Sequence, residues 1–267
     1  VFEHYQPRFA GESVPASIVG SVVSLADKMD AIVGFFGIGI VPTGSQDPYA
    51  LRRQAAGIVQ ILLDHDLDLT LDQLFELSLS VHEQAGNLKR SADEVRKDLE
   101  SFFELRVKKL LSETLRYDAV DAVIAAGAGD ISAVVARGKT LMNAVLHVED
   151  FKTTVESFTR TSNLASKADG REVKPDLFEG DAERELYAAW ELLRGQRDTW
   201  GSEEGYMSAA EAELTALSAL KQPITTFFDR VMVMAEDENV RANRLALLAA
   251  IDRELKAFAD FGKLVWQ

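Results

Sequence analysis

Apolar residues recur every three or four positions along nearly the whole chain, and no series of segments alternates apolar with polar residues. That spacing gathers apolar side chains on one face of an α-helix, whereas a half-buried strand needs a period of two. The pattern therefore predicts an all-α protein built of helical bundles. Over residues 14–33 the stripe is Ile18, Val22, Leu25, Met29, Ile32 and Val33. Near the C-terminus Val240, Leu247, Leu248, Ile251, Leu255 and Phe258 form another over 238–261, with Arg241, Asn243, Arg253 and Glu254 read as lying largely off it.

Start and stop signals divide the pattern. A glycine-rich stretch, Gly34 to Gly44, reads as a turn. Asp47-Pro48 reads as a helix start, an Asp cap followed by a proline whose missing N–H costs nothing there; that helix runs to about Asp64, with Leu51, Ile58, Ile61 and Leu62 on one side. Thr70 caps a helix to about Gln84. Ser91 caps a long one, roughly 92–115, with Phe102, Phe103, Leu105, Leu110 and Leu111 inward. Further helices are predicted at 117–126, 130–145, 149–166, 181–200, 207–235 and 238–261. Ala168 to Gly180, with Gly170 and Pro175, is the best loop candidate. The pattern separates a helical unit over 1–90 from a second bundle beginning near 100.

Composition narrows the chemistry. The 267 residues include no cysteine, which excludes disulfides, thiolate metal sites and cysteine nucleophiles. The longest apolar run, Ala31 to Val41, is too short to span a bilayer and holds three glycines. No membrane partner is expected, and a reducing cytoplasm fits. The chain does not begin with Met and reads as a fragment. Its 43 acidic against 29 basic residues leave a net charge of −14, so nucleic-acid binding would have to use a local basic face.

Several residue clusters are candidates for chemistry. Gly34, Gly37 and Gly39 follow a helix, whereas a dinucleotide-binding loop follows a strand, so they read as a tight turn. His4, Asp27 and Asp30 supply too few ligands for a catalytic metal. The adjacent His65-Asp66 pair reads as a solvated helix end. Among basic clusters, Arg52-Arg53, Lys108-Lys109 and Arg171 with Lys174 read as solvated faces. Arg160, Asn163 and Lys167 stand at i, i+3 and i+7 and share one face; Arg241 and Arg244 share another beside Asn243. Arg and Asn are the side chains that contact phosphates and base edges. Trp190, Trp200, Tyr206 and Trp266 are candidate stacking surfaces.

Six blocks carry a resemblance. They are residues 3–15 (Glu-His-Tyr-Gln-Pro-Arg-Phe-Ala-Gly-Glu-Ser-Val-Pro), Leu25 to Asp30 (Leu-Ala-Asp-Lys-Met-Asp), and Gly37-Ile-Gly39. The others are Pro42 to Arg53, Phe227 to Asp237, and Arg241 to Leu248. In this order they resemble the bacterial glycyl-tRNA synthetase beta subunit. The resemblance implies that residues 1–90 are the C-terminal part of an HD-like helical domain. Residues 91–148 would be a connecting helical body, and 149–267 an anticodon-binding helical bundle like that of arginyl-tRNA synthetase. Asp27 then matches the terminal Asp motif of HD domains, whose upstream His and His-Asp motifs this chain lacks. Where the family carries Lys before the arginine, this chain has Thr159.

The resemblance further implies that the chain binds glycine tRNA and supports glycylation without performing it. ATP and Mg would be used by an alpha subunit, with which the beta subunit forms an alpha2-beta2 tetramer. No cofactor or metal is expected on this chain. The implied tRNA-binding residues are Arg160, Asn163, Lys167, Arg241, Asn243 and Arg244. The rival readings are an HD-type metal-dependent phosphohydrolase fragment and a scaffold serving only subunit assembly.

Overall fold

The computed structural model describes residues 2–9, 11–65, 67–197 and 205–266; Asp66 and Trp200 lie outside them. The described residues are helical without a β-strand; the one β-type pairing among them is an isolated bridge between Thr43 and Gln46. The chain divides into two compact units, Val1–Thr114 with Gly127–Val135, and Leu115–Ala126 with Ala136–Gln267. These limits differ from 1–90, 91–148 and 149–267. Residues 91–114 join the first unit, 115–126 and 136–148 join the second, and segment 127–135 returns to the first, where the Gly129 carbonyl accepts from Leu71 N–H at 2.8 Å. That bond ties the segment to the first unit.

The first unit holds α1 (Ile18–Gly37), α2 (Leu51–Asp64), α3 (Leu71–Gln84) and α4 (Ala92–Leu111). Helix α1 packs against the other three, and α4 also meets α2 and α3. Its core includes Met29, Ile32, Val33 and Phe36 of α1, Leu51, Ile58 and Ile61 of α2, Phe75 of α3, and Phe103 of α4. Phe36 meets Phe102 edge-on at 5.0 Å. Two helix starts follow sequence signals: Thr70–Gln73 and Ser91–Glu94 form reciprocal capping boxes.

Several expectations shift. The turn predicted from Gly34 starts later, because α1 continues to Gly37. A side chain at Gly34 would press His82, and one at Gly37 would collide with Leu88 Cδ2, so close packing explains these two glycines. In the α1 stripe Leu25, Met29, Ile32 and Val33 are buried, but Ile18 and Val22 are exposed. On α4, Leu105 is exposed while Val107 is buried. Asp47 does cap a helix, accepting from Leu51 and Arg52 N–H at 2.8 and 2.9 Å. The helix begins at Leu51, after Ala50 at φ 56°, rather than at Pro48.

The second unit contains α5 (Tyr117–Ile124), α7 (Phe151–Ala165), α8 (Asp181–Arg197), α9 (Tyr206–Ala219), α10 (Lys221–Arg230) and α11 (Glu238–Phe258). Helix α6 (Ile131–His147) carries the chain into this unit. Helix α11 packs on α7, α8 and α9, and α10 packs on α7, α8 and α9. Phe158, Leu186, Ile224, Phe227, Leu247, Ile251 and Phe258 are fully buried there. Burying one such side chain stabilises by roughly 1.5–3 kcal/mol before ordering costs. The single helix predicted over 207–235 is two, broken at Leu220. Pro223 cannot donate to the Ala219 carbonyl and its ring crowds it. The chain is extended from Val231.

Candidate nucleic-acid interface

Helix α7 buries Phe151, Val155, Phe158, Thr161 and Ala165. Arg160 and Asn163 therefore fall on its exposed side, and Lys167 follows just beyond its end. The Arg160 guanidinium lies over the ring of Phe228 on α10, 4.1 Å from the centroid. Phe228 meets the buried Phe227 edge-on at 5.6 Å. Among the described residues neither Arg160 nor Lys167 forms an ion pair. In a chain of net charge −14 this is a cationic, partly aromatic face with its charge uncommitted. Such a face can pair with a phosphate through Arg or Lys and stack an unpaired base.

The α11 residues behave differently. Asn243 is buried, and its amide closes on one backbone residue: Oδ1 accepts from Lys174 N–H at 2.7 Å, and Nδ2 donates to Lys174 O at 2.9 Å. Arg244 is also buried. It donates to Glu183 at 2.7 Å, to Glu179 at 2.8 Å and to the Met232 carbonyl at 3.0 Å. Burial alone would push the Glu183 carboxyl up; Arg244 and the N–H groups of Gly180 and Glu179 outweigh it and hold the carboxyl below its ordinary value. Arg241 is half-exposed and donates to the Ala235 carbonyl at 2.9 Å. The structure thus brings Arg160, Asn163 and Lys167 to one exposed side. It turns Asn243 and Arg244 inward, where their polar atoms fasten loops.

A signal for that burial stands in the sequence. Asn243 and Arg244 are i+3 and i+4 from Val240 and precede Leu247 by four and three, which places them on the apolar stripe rather than off it. Phe228 has no such signal, since Phe227-Phe228 does not say which ring faces out. Of the candidate stacking residues, Trp190 sits 5.6 Å from Tyr187 and beneath Arg194, and Trp266 meets Phe151 at 6.4 Å. Tyr206 opens α9.

In the first unit, His4, Asp27 and Asp30 line one depression. Among the described residues no group of three His, Cys, Asp or Glu could hold a metal ion. His65 Nε2 donates to the Pro15 carbonyl at 2.7 Å. Arg106 lies over Phe102 at 3.7 Å; burial and then Arg52 depress its pKa to about 10, against the pull of Asp47. No described helix is long and apolar enough to cross a membrane.

A family model described as glycyl-tRNA synthetase beta subunit matches residues 1–125, and one described as DALR anticodon binding domain matches residues 154–261. The chain belongs to the glycyl-tRNA synthetase beta subunit family. The glycine–tRNA ligase beta subunit of Halalkalibacterium halodurans is 45% identical over 273 residues, covering 100% of this chain and 38% of that relative. That of Desulforamulus reducens is 43% identical, covering 99% and 38%, and that of Bacillus subtilis 37% identical, covering 99% and 36%. This member of the beta-subunit family thus spans less than two fifths of the length of the relatives it matches, over a C-terminal portion. The exposed α7 residues and Phe228 fall within the stretch that matches the anticodon-binding model.

Proposed function

We propose that this chain is a tRNA-binding region of a glycine–tRNA ligase beta subunit that holds glycine tRNA by its anticodon stem-loop. The observation that carries the reading is the uncommitted Arg160 guanidinium stacked on Phe228, beside Asn163 and Lys167, on an otherwise acidic chain. The match to an anticodon-binding domain over the same residues supports it. On α11 the half-exposed Arg241 is the candidate left for RNA contact, while Asn243 and Arg244 hold loops. Bond making belongs to an alpha subunit, which uses ATP and Mg2+ and assembles with the beta subunit in an alpha2-beta2 complex in the cytoplasm. This chain needs no cofactor of its own in that scheme.

The test is a titration of the 267-residue chain with the glycine-tRNA anticodon stem-loop and with a loop of altered anticodon bases. The unaltered loop binds more tightly, and Arg160→Ala weakens it about tenfold, the scale of a lost stacking and phosphate contact. Equal affinity for both loops would sink the anticodon reading. Unchanged affinity in Arg160→Ala would favour a scaffold role.

A further inference from the structure

We infer that Met232 and Met234 form an oxidant-accepting site, where a hydroperoxide converts two exposed thioethers to sulfoxides while the second unit stays folded. The inference is independent of the RNA-binding reading above.

The chain has no cysteine and five methionines, so thioethers are its whole stock of sulfur. Their surroundings differ. Met29 is 2% exposed in the core of the first unit, and Met142 on α6 is half-buried. Met207 near the start of α9 is 41% exposed, Met234 50% and Met232 75%. These last two belong to the segment between α10 and α11, which leaves α10 in extended form at Val231 (φ −118°, ψ 123°). Along an extended chain successive side chains point to opposite sides. Val233 turns inward and is buried, so Met232 and Met234 are turned outward together.

The backbone of this segment is held without the thioethers. Val231 N–H donates to the Phe227 carbonyl at 2.9 Å, Arg244 to the Met232 carbonyl at 3.0 Å, and Arg241 to the Ala235 carbonyl at 2.9 Å. Val233 supplies the apolar anchor between the two methionines. Oxidation at either sulfur therefore changes an exposed tip and leaves these bonds in place. A sulfoxide at Met29 would instead set a polar S–O group in a packed core.

In the oxidation a lone pair of the Met Sδ attacks one oxygen of the hydroperoxide, and the S–O bond forms as the O–O bond breaks. Sulfur gives up two electrons and the peroxide takes them. With hydrogen peroxide, the displaced hydroxide picks up the proton left on the transferred oxygen and departs as water. Sulfoxide reductases, one for each epimer at sulfur, reverse the change.

The test exposes the 267-residue chain to hydrogen peroxide at pH 7 and follows each methionine by peptide mass spectrometry. We expect Met232 and Met234 to gain one oxygen each about tenfold faster than Met29. The urea midpoint of the chain oxidised at these two positions should match that of the untreated chain, and the two reductases together should restore its mass. The Met232→Leu, Met234→Leu variant should lose the fast uptake and keep the slow one at Met29. Uptake at Met29 as fast as at Met232 and Met234 would overturn the site. So would a lowered urea midpoint in the oxidised wild type that the peroxide-treated variant does not share, because the thioethers would then be holding the segment.

Discussion

One guanidinium ties three segments of the second unit together. Arg244 reaches Glu183 at the start of α8, Glu179 in the loop before it, and the Met232 carbonyl in the loop before α11. Both Arg244 and Glu183 are buried, so removing the arginine strands a carboxylate. Arg244→Ala is expected to cost about 3 kcal/mol at pH 7. Glu183 titrates below its ordinary value in the folded protein. Its contribution is therefore fully present above about pH 4.5, the unfolded value, and is lost as pH falls through the depressed folded value. Urea unfolding at pH 7 and near pH 3 should show the gap between wild type and Arg244→Ala narrowing in acid; a gap that stays constant refutes the charge-pair account. From sequence the same arginine is a candidate nucleotide contact, because Arg serves both buried pairing and phosphate recognition through the same planar fork.

At the scale of the element, the helices that sequence locates best are those whose ends carry their own chemistry. Ser91 accepts from Glu94 N–H while the Glu94 carboxylate accepts from Ser91 N–H; both partners lie within one helical turn, so local sequence suffices. Ser91→Ala is expected to destabilise the first unit by about 1 kcal/mol, measured by chemical denaturation; a loss below a few tenths would mean α4 is held by packing alone. Gly34 and Gly37 read as a turn from sequence because the reason for them is not local. They leave α1 bare where His82 and Leu88 press on it, and those side chains come from a distant stretch of the chain. Pro223 is the local signal that splits α9 from α10, and the apolar spacing across it hides the break.

For the whole molecule, the balance of charge governs how RNA can be held. A chain at −14 repels a polyanion at long range, so binding must come from few contacts on a restricted surface. The affinity for the stem-loop should fall with salt, with a log–log slope shallower by about one in Lys167→Ala than in wild type. An identical slope would remove Lys167 from the interface. The helical class, most helix limits, the family resemblance and the exposed α7 triad are legible in the residues alone. These rest on periodicity, caps and short motifs, which act over a few residues. That Asn243 and Arg244 turn inward, that Phe228 lies under Arg160, and that Trp190, Glu172 and Arg253 line one cavity emerges once the helices pack. Each of those arrangements joins separate elements, and it is packing between helices, not spacing along one, that chooses which polar groups meet solvent.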